Sequence, residues 1–107
     1  MEEVNLLDFI KSCIRKRKIH WTYHVNMRMQ KRFIARKKII EAVESFEIIE
    51  KNPEDKYLPS YLLWAQHEND IFHVLVAVDN VNEQVIIITA YRPDDEKWES
   101  NYKKRRK

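Results

Sequence analysis

Not one of the 107 residues is glycine. Average usage is about 7%, so the absence is a real bias, and it removes every loop in which a backbone without Cβ cradles phosphate. Neither a Walker loop nor a Rossmann fingerprint can be present. It also constrains folding, because each turn that needs a left-handed residue must be made from another side chain, and Asn and Asp tolerate that conformation best. Asn69-Asp70 and Asp79 to Glu83 are expected to supply such turns.

The single Cys13 cannot form an internal disulfide, and a Cys-rich zinc site needs more thiols than the chain has. A reducing, cytoplasmic setting is expected. The start Met1-Glu2-Glu3 is acidic where a signal peptide is basic, and no apolar run reaches the length of about 18 residues that a membrane helix requires. Neither export nor membrane insertion is expected. With 44% hydrophobic and 35% charged residues, the composition suits one domain over residues 1–102, followed by a flexible basic tail at 103–107.

Net charge is only +3, but its layout is uneven. Residues 1–10 carry −3; residues 11–38 carry eleven basic side chains and no acid; residues 39–102 carry −10; and the tail adds +5. Solvated helices ordinarily mix the two signs. A basic segment without acids, including Lys16, Arg17, Lys18, Lys31 and Arg36, therefore suggests a face that binds a polyanion. Nucleic acid is the natural candidate, an acidic protein partner would also serve, and the tail on its own would also fit a solvated appendage.

Val4, Leu7, Ile10 and Ile14 recur at helical spacing over 3–15, with Glu2, Glu3 and Asp8 near the positive end of the dipole and Arg15 to Lys18 near the negative end. A second helix is expected from about 22 to 32, capped by Thr22. On a 100° wheel Trp21, Val25 and Met29 share its apolar stripe, with His24 and Arg28 beside it and Arg32 trailing. A third helix, about 36–45, would bury Ile39, Ile40, Val43 and Phe46. The period then changes: a short strand at 46–51, a polar loop from Pro53 to Pro59, and strands at 60–67, 71–78 and 84–91. Short links join antiparallel neighbours, so the expectation is an α+β fold with N-terminal helices packed on a three- to four-stranded antiparallel meander. Asp94 or Asp95 would cap a C-terminal helix carrying Trp98 and Tyr102. The unpaired edges of such a sheet would allow a homodimer.

His24, Arg28 and Arg32 form a His-x3-Arg-x3-Arg row along one helix edge. Imidazole titrates near neutrality and can move protons, whereas guanidinium stays charged and offers a planar fork to phosphate. Such a row suits a metal-free attack on a phosphodiester, and it equally suits a generic phosphate contact. His73 alternates with Ile71, Leu75 and Ala77, the setting of a satisfied sheet residue as much as of a catalyst. Thr89, Tyr91 and Arg92 end the last strand; Tyr91 would bond phosphate, stack on a base or simply cover the sheet edge. His20 and His24 stand four apart but lack the intervening Glu and a third ligand, so no metal and no cofactor is expected. Ser12 and Cys13 lie within the first helix with no glycine elbow to present a nucleophile.

The combination Trp21-Thr22-x-His24-x3-Arg28-x3-Arg32, the loop Pro53-Glu54-Asp55-Lys56, Tyr61-Leu62-Leu63 and the ending Ile88-Thr89-Ala90-Tyr91-Arg92-Pro93 with Trp98 resembles the domain of unknown function 4258 over about residues 20–98. That family is similar in layout to RelE-like toxins of the MqsR and BrnT kinds. The resemblance implies a RelE-like fold and a toxin-like endoribonuclease, in which the RNA's own 2′-hydroxyl attacks the adjacent phosphate. It also implies mRNA, free or on the ribosome, as substrate and a neighbouring antitoxin, commonly one with a zinc finger. His24 would be general acid or base, Arg28 and Arg32 would hold phosphate, and Tyr91 with His73, Thr89 and Arg92 would line the cleft. The alternative is a non-catalytic RNA-binding or protein-binding module, since residues 11–38 hold no carboxylate and a single imidazole must do the proton work.

One departure is local. Relatives commonly read Arg-Gly-Ile-Ser where this chain has Arg32-Phe33-Ile34-Ala35, losing the flexible turn residue and a hydroxyl cap that contributes on the order of 1 kcal/mol. A strained or reshaped turn is expected at Phe33.

Overall fold

A computed structural model describes residues 3–106. The roles expected of Glu2 and Lys107, and of the Glu3 and Val4 side chains, lie outside the described residues. Helix α1, Glu3–Arg15, turns Leu6, Ile10, Cys13 and Ile14 into the core. After it come a three-residue strand β1, Ile19–Trp21, and α2, Tyr23–Lys31. The Thr22 hydroxyl accepts the Val25 amide at 3.1 Å, so the expected N-cap is in place. Helix α3 runs only from Arg36 to Glu41, shorter than expected, and gives way to a 3-10 turn at Val43–Ser45. Its N-cap is Ala35, which provides no side-chain acceptor.

Strands β2 (Glu47–Asn52), β3 (Ser60–His67), β4 (Asp70–Asp79) and β5 (Gln84–Tyr91) form the antiparallel meander that the alternation predicts. The sheet nevertheless has five strands and is mixed, in the order β1-β5-β4-β3-β2. The three- to four-stranded antiparallel sheet expected from the sequence is thereby corrected: β1 pairs parallel with β5, Ile19 to Trp21 against Val85 to Ile87. Ile-His-Trp is too short to show a period, and a parallel neighbour is reached only by a long crossover, here two helices and three strands. Short links cannot reveal it.

Alternation divides the sheet into two faces. Leu63, Ala65, Phe72, Val74, Val76, Val85 and Ile87 meet the helices in one core with Ile10, Val25, Met29, Ile39 and Phe46. On β5 the register slips by one residue, since Leu75 opposes Thr89 and Val76 opposes Ile87. Ile88 is the extra residue, and this bulge returns Ala90 to the core while Tyr91 pairs with His73 on the other face.

That second face is covered by the C-terminus, though not by a helix. The expected final helix makes one turn, with the Lys97 and Trp98 amides on the Asp94 carbonyl, and then reverses so that Trp98 bridges Arg105. Lying flat, the segment buries Trp98 and brings the Asn101 carbonyl to the Trp64 indole N–H at 3.0 Å. A helix would present one stripe to a sheet face that already carries Trp64, His73 and Tyr91. The basic tail, expected to stand free, lies along the same face through residue 106. Lys103 pairs with Glu47 at 2.8 Å and Arg105 with Glu50 at 2.5 Å, and the two cations sit over Trp64 and Trp98.

The missing glycines are replaced in an unexpected way. Left-handed backbone occurs at Arg17, Phe33, Glu68, Glu83 and Tyr102, so neither Asn nor Asp takes these positions. Asp79 instead organises its turn as an acceptor, with the Asn82 amide at 3.1 Å and the Asn82 side chain at 2.8 Å. Arg17 and Phe33 both follow helices. The Ile34 amide reaches the Met29 carbonyl at 2.9 Å and the Phe33 amide reaches Gln30 at 3.2 Å, the paired bonds of a Schellman motif; Lys18 to Cys13 and Arg17 to Ile14 repeat it at the end of α1. Phe33 therefore sits in the ordinary left-handed position of that motif, with φ of 57° and 85% of the residue exposed: the turn is strained by its Cβ, one of the two outcomes expected, and keeps the shape a glycine would give it.

A left-handed residue with a Cβ costs about 1–2 kcal/mol, and glycine adds about 0.5–1 kcal/mol of unfolded-state entropy. Phe33→Gly is therefore expected to raise stability by about 0.5–1 kcal/mol in denaturant unfolding; a lower midpoint would contradict this account of the turn.

Candidate functional site

The His-x3-Arg-x3-Arg row begins on α2 and ends beside β5, and its three members have different fates. His24 and Arg28 are exposed on the helix. The His24 side chain meets the ring of Tyr23, edge-on at 6.1 Å, and the Arg28 side chain makes no polar contact among the described residues. Arg32 is the C-cap of α2 and half-buried. Because β1 covers β5 only as far as Ile87, the outer edge beyond it is unpaired by strand. Arg32 fills that edge, donating from Nη1 to the Ala90 carbonyl at 2.8 Å and to Thr89 Oγ1 at 3.2 Å.

Arg92 acts from the other side of the same turn. Its fork takes both Asp70 oxygens at 2.9 and 2.8 Å, while Nη1 and Nη2 also donate to the carbonyls of Arg32 and, at 3.2 Å, Phe33. Lys38 of α3 reaches Asp70 at 2.5 Å. The hydrogen bonds from Arg92, with those of Lys38, hold the Asp70 carboxyl down at about 2, and Asp70 in turn pushes the Arg92 guanidinium up. Arg92 thus has acceptors on every side and serves as the joint between β4, β5 and the end of α2, not as an open contact for RNA.

His73 is fully buried. Its Nε2–H donates to the Tyr102 carbonyl at 2.6 Å, which leaves Nδ1 facing the Tyr91 hydroxyl at 3.4 Å. The ring lies edge-on to Trp98 at 4.5 Å and to Tyr91 at 5.4 Å. Burial pushes the imidazole below its ordinary range and the Tyr91 phenol above its own. Of the two readings left open by the sequence, the geometry matches the satisfied sheet histidine. The proposed catalytic set is consequently split: His24, Arg28 and Arg32 lie along α2 and the β5 edge, whereas His73 and the Tyr91 ring lie under the C-terminal segment on the opposite face. Thr89 touches the first group through Arg32.

The remaining basic candidates also divide. Lys16, Lys18 and Lys31 are exposed. Arg17 turns back to the Ile14 and Arg15 carbonyls at 3.3 and 3.0 Å, capping α1, and Arg36 stacks over Trp21 while donating twice to Asn26 Oδ1. Among the described residues no three His, Cys, Asp or Glu side chains converge as metal ligands, and no helix is long and apolar enough to cross a membrane. Sequence reading took Asp70 for a turn residue only; its place opposite Arg92 depends on strand pairing that no local pattern encodes.

The family model for the domain of unknown function DUF4258 matches residues 21–92, which takes in the whole row, the meander and Arg92. This chain belongs to that family. No curated protein and no solved structure matches it. The DUF4258 match stops before the segment that covers His73, so Trp98 and the basic tail lie outside the matched span.

The Asp70 cluster sets a pH dependence. A carboxyl held at about 2 in the fold and near 3.8 when unfolded adds stability above pH 4 that is lost as pH falls through 2. With both partners partly exposed, its contribution is about 1–2 kcal/mol. Asp70→Asn should be less stable by that amount at pH 6, with the gap to the parent closing towards pH 2 in urea unfolding; a gap that does not change with pH would contradict the pairing.

Proposed function

We propose that this chain is a metal-free endoribonuclease of the toxin type, similar in layout to RelE-like enzymes. One observation carries the reading. Of the charged residues shared by the motif, Arg92 is tied to Asp70 and to two carbonyls and Arg32 is anchored to β5 through Nη1, while the side chains of His24 and Arg28 stand one helical turn apart, exposed, with no acid among the described residues to neutralise them. Side chains that hold nothing together in the protein are free to hold a ligand.

In this reading His24 takes the proton from the RNA 2′-hydroxyl as that oxygen bonds to the adjacent phosphorus, or returns one to the 5′-oxygen as its bond to phosphorus breaks. The products are a 2′,3′-cyclic phosphate and a 5′-hydroxyl. Arg28 stabilises the charge that builds on the phosphate oxygens, the role in which a fixed guanidinium contributes most. Arg32, whose Nη1 is anchored to β5, keeps its other N–H groups available to the same phosphate. Lys16, Lys18 and Lys31 supply long-range attraction that weakens as salt rises. Tyr91, His73 and Arg92 become positioning residues. A cytoplasmic location, an mRNA substrate and an antitoxin partner belong to the same proposal.

A second reading, a non-catalytic RNA-binding module, is favoured because, among the described residues, the one side chain in contact with His24 is the ring of Tyr23. The two separate in one assay. With a labelled mRNA fragment, with and without ribosomes, the purified protein should leave cyclic phosphate ends, and His24→Ala and Arg28→Ala should each lower the rate about 100-fold or more. Tyr91→Phe should lower it far less. Salt-sensitive binding without turnover would establish the module instead, and undiminished cleavage in both alanine variants would remove the assigned roles.

A further inference from the structure

On the flank of α2 away from His24 and Arg28, an open groove of about 450 Å3 runs between α2 and α3. Buried Met29 and Ile34 form its floor; Gln30, Phe33, Ala35 and Arg36 form its walls. The apolar surface continues along α2, where Tyr23 and Met27 are 74% and 42% exposed. Phe33 is the anomaly. Its backbone is left-handed, a conformation that disfavours a side chain, and its ring is in water, so the folded chain gains nothing from it. The rim is basic: Arg36 lines it and Lys37 follows on α3, both exposed, with Glu41 one turn further on at 4.0 Å from Lys37, and no acid occurs in residues 11–38.

We infer that this groove docks an acidic amphipathic helix of a protein partner, with apolar side chains seated on Met29, Ile34 and Phe33 and carboxylates facing Arg36 and Lys37. The helix-in-groove mode uses an apolar trough with anchors at i, i+3 or i+4 and i+7, and the basic segment that bears the groove selects the acidic form. RNA fits less well. The floor is aliphatic, which leaves Phe33 as the one aromatic plane in the groove's lining, and the Asn26 carbonyl oxygen that could read a base is already taken twice by Arg36. The inference does not depend on the proposed nuclease, because the groove lies on the opposite flank of α2 from His24 and Arg28.

The test uses a fluorescent helical peptide of about 15 residues with leucines at i, i+3 and i+7 and glutamates elsewhere, titrated into the intact protein. It should bind with micromolar affinity, weakening as salt rises. Versions with lysine for glutamate, or serine for leucine, should bind at least tenfold more weakly. Phe33→Gly, expected to melt higher than the parent, should lose at least tenfold in peptide affinity, as should Phe33→Asn, which keeps a residue tolerant of the left-handed turn. His24→Ala should bind the peptide unchanged. Absence of binding by the acidic peptide, or equal binding to Phe33→Gly and the parent, overturns the inference. Displacement of the peptide by a short single-stranded RNA whose own affinity falls in Phe33→Gly would give the groove to RNA.

Discussion

Arg92 brings three parts of the chain together at one guanidinium. Its guanidinium ties Asp70, the first residue of β4, to the carbonyls of Arg32 and Phe33 that close α2, while its own backbone follows β5. Lys38 adds α3 through the same carboxylate. A planar fork of five donors is suited to this, since a lysine ammonium could not satisfy two carbonyls and both carboxylate oxygens at fixed directions. With those carbonyls held, the Phe33 turn has one geometry, and Arg32 is delivered to the β5 edge on one side of α2 while the groove opens on the other.

This joint explains why motif residues of the same chemical type do different work. Where a guanidinium is half-buried, leaving its N–H groups unmet would be costly, so Arg32 is supplied with Ala90 and Thr89. His73, fully buried, is kept neutral between Tyr102 and Tyr91. His24 and Arg28 have no such requirement on an exposed helix surface, and the fold does not use them. A functional role is the economical account of two charged motif positions with no structural one.

Much of the architecture is legible in the sequence because it follows from local chemistry. Thr22 announces α2, and the alternation in Ile71 to Val78 announces a strand that runs from Asp70 to Asp79. What fails are features fixed by distant partners. The parallel pairing of β1 depends on β5, 66 residues along the chain at every registered pair, and three residues cannot declare it. Trp98 looks like one face of a helix, but its indole is held on a sheet face that already carries Trp64 and His73. The row His24, Arg28 and Arg32 is found by spacing alone, yet spacing cannot separate an arginine that binds RNA from one that holds a strand edge. Glycine poverty is legible in its presence and misleading in its detail: Glu68, Glu83, Phe33 and Arg17 take the left-handed positions because hairpin closure and helix capping impose the backbone there regardless of preference.

The central claim is that the exposed α2 row, not the covered His73 face, meets the RNA. Amide and side-chain NMR shifts recorded during titration with a short RNA whose 2′-hydroxyls are methylated, so that attack is blocked, test it most directly. The account predicts shifts at His24, Arg28, Lys31 and Arg32, with His73 and Tyr102 unmoved. Shifts centred on His73, Trp98 and Tyr102, with the α2 row silent, would contradict it.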